Sequence, residues 1–216
     1  MHADAIAPDL DHAPLAATRS ALYALFAFMF AYPDADWVAA IRAGEVAQRM
    51  AELCAGIDVV SPPPLNPDRN ALANAGSDDD ALAIEYTRLF DTGPISLHGG
   101  HHHGARMPVM EEVLRFYEHF GLTPDPRSNE LPDHLVAELE FMHFLCHREA
   151  IAPASGAEPY RRAQRDYLQR QLGRWAPQLH ERLVEQQALP FFSEATRLLA
   201  GFLSCEQGLL QAPHPM

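Results

Sequence analysis

The stretch LPDHLVAELEFMHFLCHRE, residues 131–149, decides the fold class of this chain. Its large apolar side chains recur every three or four residues, which places them on one face of an α-helix. These positions are Leu135, Leu139, Met142 and Cys146. Pro132 fixes the backbone at the entry, and Asp133 is predicted to cap the helix. The stretch therefore predicts a long helix whose apolar face lies in the core.

The same helical spacing continues through most of the 216 residues, and we find no alternating strand pattern bounded by turn residues. A first helix is predicted from Thr18, as its N-cap, to Tyr32, and a second from about Asp34 to Cys54. The remaining helices are predicted at about 81–93, 108–121, 131–149 and 159–175, and from 177 and 190 onwards. The sequence thus predicts an all-α, single-domain bundle of about eight helices at residues 18–206, with flexible tails at 1–17 and 207–216.

The charge balance restricts the partners of the chain. Its 16 basic residues are all arginines, and with 29 acidic residues the net charge is −13. Such a surface repels nucleic-acid phosphates and anionic lipids and favours cationic partners. We therefore expect no nucleic-acid partner.

The cysteines and the apolar segments indicate a cytoplasmic protein. Cys54, Cys146 and Cys205 are far apart and form no metal-binding or disulfide pattern. The longest apolar run, residues 21–32, has 12 residues, fewer than the roughly 20 that span a bilayer. Acidic residues precede this run, whereas an export signal begins with basic residues. The sequence therefore predicts no membrane span and no export of this chain.

A run of histidines, HGGHHHG at residues 98–104, is the one candidate metal site. Imidazole is the commonest ligand of transition metals, and glycine lets side chains converge. Adjacent histidines in a loop fix no coordination geometry, however, so we expect this chain to bind no metal and no cofactor. The alternative is a helical metal- or cofactor-binding protein that uses these side chains. They are His98, His101, His102 and His103.

The sequence offers no recognisable catalytic motif. We find no glycine-rich phosphate loop, no GxSxG nucleophile motif and no cysteine with a local catalytic signature. Glu140 and His143 form one Glu-x-x-His unit, but a di-iron site needs that unit twice. We therefore expect the chain not to be an enzyme.

At the start of the 131–149 helix, His134 and Glu138 lie four residues apart on one face and can bond each other.

Three segments together resemble a known family. They are EYTRLF at 85–90, VMEEVLRFYEHFGL at 109–122 and NELPDHLVAELEFM at 129–142. In this combination the chain resembles the TorD/DmsD/NarJ family of redox-enzyme maturation chaperones, most closely the branch that serves type II enzymes of the dimethyl sulfoxide reductase family. The resemblance implies a protein that binds the apo catalytic subunit of a molybdopterin-dependent oxidoreductase, often through its twin-arginine signal peptide, and delays export until the cofactor is inserted.

The same resemblance indicates where a client would bind. A twin-arginine leader joins two guanidinium groups to an apolar helix, so its receptor needs carboxylates beside an apolar groove. Tyr86, Leu89 and Phe90 are predicted to line the groove. Asp133, His134 and Glu138 are predicted to supply the polar contacts. Two long loops, 61–80 and 95–108, leave open whether the chain is a monomer or a domain-swapped dimer.

Overall fold

The computed structural model describes residues 12–57, 65–102, 106–123 and 131–211. These residues form α-helices and short turns of 3₁₀- or π-helix, and contain no strand longer than a single bridge. Their α-helices are α1 (His12–Phe30), α2 (Ala35–Arg42), α3 (Glu45–Ile57), α4 (Arg69–Leu72), α5 (Ala81–Tyr86), α6 (Arg106–His119), α7 (Leu135–Ile151), α8 (Ala154–Arg170), α9 (Leu172–Trp175), α10 (Leu179–Glu185) and α11 (Pro190–Gln211). Within these ranges eight helices have seven residues or more, which confirms the predicted all-α bundle of about eight helices.

Helices α1 and α7 pack against each other in the centre of the fold. Helix α3 adjoins α1, α8 adjoins α7, and α11 closes the bundle against α8 and α10. Aromatic rings join α1 to α11: Tyr23 and Phe26 lie 4.8 and 5.6 Å from Phe202, measured between ring centroids. Burying each such ring stabilises the fold by roughly 1.5–3 kcal/mol. The core is therefore one contiguous cluster built from the apolar faces of these helices.

A buried ionic cluster ties four helices together. Arg19 of α1 is almost completely buried and donates to both oxygens of Glu206 on α11, at 2.6 and 2.8 Å. It also donates to Glu149 of α7 at 3.0 Å. Gln164 of α8 donates to the same Glu149 at 2.8 Å, and Tyr23 donates to Glu206 at 3.0 Å. Because a buried charge needs partners, this cluster fixes how α1, α7, α8 and α11 sit together.

The ends of the bundle differ from the prediction. Helix α1 begins at His12, and Thr18 lies inside it with its hydroxyl donating to the carbonyl of Pro14 at 3.1 Å, so the predicted N-cap is wrong. Helix α11 continues to Gln211. Residues 12–17 and 207–211, which were predicted to belong to flexible tails, are therefore helical. The rest of the predicted tails, residues 1–11 and 212–216, lies outside the described ranges.

The helix predicted from Asp34 to Cys54 is two helices. Asp34 caps α2, accepting from the backbone N–H of Trp37 at 2.8 Å. Gly44 then adopts a φ of +74°, a left-handed conformation that ends a helix and that glycine adopts without strain. The chain turns at this residue and begins α3 at Glu45.

Helix α1 is long and apolar enough to cross a membrane by length and composition. The window is Ala13–Phe30, with a mean hydropathy of 1.3, and half of it is buried inside the fold. The uninterrupted apolar run in the sequence is shorter, because Arg19 and other polar residues divide this helix. In the bundle, this helix carries the buried Arg19 cluster and packs along α7, as the core helix of a globular protein does.

The three cysteines, Cys54, Cys146 and Cys205, are buried and carry reduced thiols. Burial raises the pKa of the Cys146 thiol well above its ordinary range, although Arg19 opposes the shift. A thiol in such surroundings is un-ionised and unreactive in the folded state.

Candidate functional site

The start of α7 is built differently from the prediction. His134, and not Asp133, is the N-cap: its Nδ1 accepts from the backbone N–H of Val136 at 3.3 Å. Asp133 is drawn away because its Oδ2 accepts from the backbone N–H of Gly100 at 3.0 Å. The preceding turn is held by Tyr117, whose hydroxyl donates to the carbonyl of Pro132 at 2.9 Å. The Asp133 carboxylate therefore serves a distant segment instead of its own helix.

That distant segment is the first part of the histidine loop. The backbone N–H of Gly99 donates to the carbonyl of Asp133 at 2.8 Å, and the N–H of Leu135 donates to the carbonyl of Leu97 at 2.7 Å. These bonds make an isolated antiparallel bridge between His98 and His134. We refer to residues 98–102 as the His98–His102 strap. The structure thus joins the histidine loop to the start of α7, two features that are far apart in the sequence.

Glycine allows the strap to lie directly on the α7 start. A Cβ on Gly99 would lie 2.8 Å from Glu138 Oε1 and 3.0 Å from Trp175 Nε1. A Cβ on Gly100 would lie 2.9 Å from Asp133 Oδ2. Real Cβ atoms do not approach other atoms so closely, so only glycine fits at both positions.

The strap histidines face protein groups. The rings of His98 and His134 are 4.9 Å apart edge to face, and His102 stacks on Trp175 at 4.8 Å. His98 Nδ1 lies 3.4 Å from Asp133 Oδ1. Burial lowers the pKa of His102, and the carbonyl of Ser96 opposes the shift. In the described ranges no three His, Cys, Asp or Glu side chains could hold a metal ion; His103 lies outside those ranges.

Two carboxylates lie under the strap. Asp133 and Glu138 are both fully buried. Burial alone raises the pKa of Asp133, but His98, the Gly100 N–H and Arg106 outweigh it and leave the pKa below its ordinary value. Burial raises the pKa of Glu138 to about 8, although its Oε1 accepts from Trp175 Nε1 at 3.2 Å. The predicted bond between His134 and Glu138 stays a prediction.

Each of these carboxylates has one oxygen that lacks a hydrogen bond of full geometry from a described residue. The two atoms are Asp133 Oδ1 and Glu138 Oε2. The Tyr167 hydroxyl, which is also fully buried, interacts with Glu138 and lowers its pKa, against the larger effect of burial. Buried polar atoms in proteins are nearly always bonded. The site therefore has acceptor capacity that a donor-rich ligand could satisfy.

The three predicted groove residues lie in the core. Tyr86 is 4 % exposed, Leu89 0 % and Phe90 9 %. Tyr86 donates to the carbonyl of Phe30 at 3.2 Å, and the Phe90 ring lies 5.6 Å from that of Phe192. In this conformation they form an internal wall and not an open groove. Their role in client binding stays a prediction.

Comparison with known proteins places the chain in a family. Residues 44–181, which include the strap, Asp133 and Glu138, match the family described as nitrate reductase delta subunit. The chain belongs to this family. The match confirms the resemblance that the three sequence segments predicted.

Similar proteins of known name are assembly chaperones. The chain is 35% identical over 170 residues to the chlorate reductase assembly chaperone protein of Ideonella dechloratans, covering 74% of each. It is 34% identical over 185 residues to the perchlorate reductase assembly chaperone protein of Dechloromonas aromatica (strain RCB), covering 81% of each. The selenate reductase assembly chaperone protein of Thauera selenatis is 41% identical over 112 residues, 48% of this chain and 58% of that protein. All are named for assisting assembly, which confirms the expectation that the chain is not an enzyme.

Tyr32 belongs near the predicted groove and was not singled out from the sequence. Its side chain is 58% exposed, and its ring lies 5.4 Å from that of Tyr86. Tyr32 is thus the accessible outer side of the wall that Tyr86 and Phe90 form inside. The available signal was its position before Pro33, because the residue before a proline disfavours the helical conformation and so lies at a helix end.

A separate groove lies between α6 and α8. Its volume is about 410 Å³, and it contains none of the predicted site residues. Phe116 and Phe120 form its apolar floor. Its charged rim is paired: Arg170 with Glu112, Arg162 with Glu158, and Arg165 with Asp166. Glu112 Oε1 in this groove is a buried acceptor like those of the α7 site, but Arg170 pairs with it.

Proposed function

We propose that this chain is a cytoplasmic assembly chaperone. It binds the apo catalytic subunit of a molybdenum oxidoreductase of the dimethyl sulfoxide reductase family and holds it until the cofactor is inserted, before export. The names of the similar proteins support an assembly role, and the family membership supports this class of client. The chain needs no cofactor of its own for this task.

The observation that carries the binding proposal is the pair of buried carboxylates at the start of α7. Asp133 Oδ1 has His98 Nδ1 at 3.4 Å, and Glu138 interacts with the Tyr167 hydroxyl. Neither Asp133 Oδ1 nor Glu138 Oε2, however, has a hydrogen bond of full geometry from a described residue. A guanidinium group has five donors in a planar fork and binds carboxylates better than any other side chain does. We assign an arginine of the client's twin-arginine leader to Asp133, His134 and Glu138. Asp133, whose pKa is lowered, supplies the negative charge, and Glu138, whose pKa burial raises to about 8, supplies a hydrogen-bond acceptor.

The apolar part of the leader would follow the neighbouring aromatic wall. Tyr32 presents an exposed ring against Tyr86, and Leu89 and Phe90 lie behind it. A short segment joins the aromatic wall to the α7 site. At its start the N–H of Ile95 donates to the carbonyl of Leu89 at 3.2 Å, and at its end the carbonyl of Leu97 accepts from the N–H of Leu135. A leader could thus contact the wall with its apolar helix and the carboxylates with its arginines.

The experiment that tests the function is a pull-down of this chain from its native cytoplasm, followed by mass spectrometry. We expect a catalytic subunit that carries its leader and lacks the molybdenum cofactor. Recovery of only mature, cofactor-loaded subunit, or of no such subunit while the enzyme is being made, would contradict the proposal.

A further inference from the structure

We infer that the His98–His102 strap is an internal occupant of the arginine site and that the client displaces it. This inference rests on the proposed function, because it concerns access to the same two carboxylates. In the described conformation Asp133 and Glu138 are fully buried, and the strap lies on both. A client arginine can reach them only when the strap has moved away.

The strap occupies the Asp133 carboxylate with nitrogen atoms, as an arginine side chain would. The Gly100 N–H donates to Asp133 Oδ2, and the His98 imidazole faces Oδ1 at 3.4 Å. One backbone N–H and one imidazole nitrogen are thus presented to the two oxygens of this carboxylate. A guanidinium presents more donors in a planar fork. It would also supply hydrogen bonds to Asp133 Oδ1 and Glu138 Oε2, which the strap leaves without one.

Most hydrogen bonds of the strap are internal or join it to Ser96, which directly precedes Leu97 and the strap. The N–H of His101 donates to the carbonyl of His98, and that of His102 donates to the carbonyl of Gly99. His101 Nδ1 lies 2.6 Å from Ser96 Oγ, and His102 Nε2 lies 2.9 Å from the carbonyl of Ser96. These bonds can persist when the strap swings as a unit. Leu97 is 2 % exposed and stays anchored by its bond to Leu135.

The hydrogen bonds from the strap to the α7 start are few. They are the bonds of the Gly99 and Gly100 N–H groups to Asp133, supplemented by ring contacts of His98 with His134 and of His102 with Trp175. A ligand that bonds both carboxylates more completely can therefore replace them. The strap then lowers the apparent affinity by the fraction of time it spends closed.

Hydrogen exchange of the full chain with a synthetic twin-arginine leader peptide tests the inference. With saturating peptide, we expect the Gly99 and Gly100 amides to exchange faster while the amides of α1 and α7 stay protected. If the peptide binds and both glycine amides keep their protection, the strap does not move and the inference is overturned, while the binding proposal stands.

The variant Gly100→Ala provides the second test. Its Cβ would clash with Asp133 Oδ2 and with Arg106, so it should hold the strap open. We expect it to bind the leader peptide roughly tenfold more tightly than the natural chain. Gly208→Ala is the matched control because nothing lies within 4 Å of its Cβ position, and its affinity should be unchanged.

The outcomes separate the two proposals. Weaker or equal binding by a folded Gly100→Ala protein overturns the strap inference alone. If that variant does not fold, the exchange experiment on the natural chain decides. Absence of peptide binding by both proteins overturns the leader site together with the strap.

Discussion

Glu138 is a carboxyl group held in the interior beside Trp175. Its pKa of about 8 results from burial, so the folded state favours the protonated form far more than the unfolded chain does. For an acid whose folded pKa is raised, the stability is complete below the unfolded pKa and is lost as pH rises through the folded pKa. The window here is from about 4.5 to about 8.

We therefore expect Glu138→Gln to change the pH dependence of stability. Relative to the variant, the natural chain should lose on the order of 3 kcal/mol of unfolding free energy between pH 4.5 and pH 8. Urea unfolding at several pH values measures this difference. Glu140→Gln, at an exposed position of the same helix, should leave the pH dependence unchanged. Parallel curves for the natural chain and Glu138→Gln would show that Glu138 is ionised in the folded state.

Asp133 is the residue on which the leader proposal depends most directly. Asp133→Asn keeps the shape and can still accept from Gly100, but it removes the charge that a guanidinium would meet. We expect the leader peptide to bind at least about tenfold more weakly, as measured by titration calorimetry. Asp36→Asn, an exposed change on α2, serves as the control, and equal losses in both variants would refute the assignment.

The sequence predicted the α7 start as a polar feature but assigned the wrong cap. Asp and His both satisfy helix N-termini, and local spacing does not distinguish them. The choice is made by Gly100, 33 residues away, which takes the Asp133 side chain. Helical periodicity carries no information about such a partner.

At the scale of the helices, α1 depends on the single charge that it buries. Arg19→Ala would leave Glu206 buried without its counter-ion and Glu149 with Arg161 as its remaining cationic partner. We expect a loss of about 3–5 kcal/mol in unfolding free energy, measured with urea. Arg49→Ala removes an exposed pair with Glu52 at 3.4 Å and should cost less than about 1 kcal/mol. Similar small losses in both variants would show that the cluster does not hold the helices together.

The helices themselves could be predicted because each has an apolar face, and the break at Gly44 had a visible signal in the glycine. The strap could not. Its paired glycines indicated a close backbone approach, but the surface approached lies on α7, beyond the whole of α6. The histidines therefore suggested a metal site when read locally, whereas their tertiary contacts are with Asp133, His134 and Trp175.

The whole molecule is strongly acidic, with a net charge of −13. Electrostatic attraction should therefore contribute to the binding of a cationic leader. Salt screens this attraction, since the Debye length is about 10 Å at 0.1 M and about 3 Å at 1 M. We expect affinity for the twin-arginine peptide to fall several-fold between about 0.1 and 1 M NaCl. A peptide with both arginines replaced by glutamine should show little of this change, and a salt-independent affinity for the natural peptide would contradict the proposed contact.

The family and the helical architecture were predictable from the sequence because several separated segments agreed. The oligomeric state was not, and monomer or domain-swapped dimer stays a prediction that sedimentation analysis can decide. The described part of the 95–108 loop is bonded to α7 of the same chain. An exchange of helices through this loop would have to preserve or replace those bonds.

The buried thiols of Cys54, Cys146 and Cys205 can be used to measure the rate at which the folded chain opens. A coloured disulfide reagent can reach them only when the bundle opens, so the rate of colour development reports the rate of opening. The three sulfurs lie in α3, α7 and α11, and they would react together if the bundle opens as one unit. A bound client that slows the reaction of the thiols would show that client binding stabilises the folded chaperone against opening.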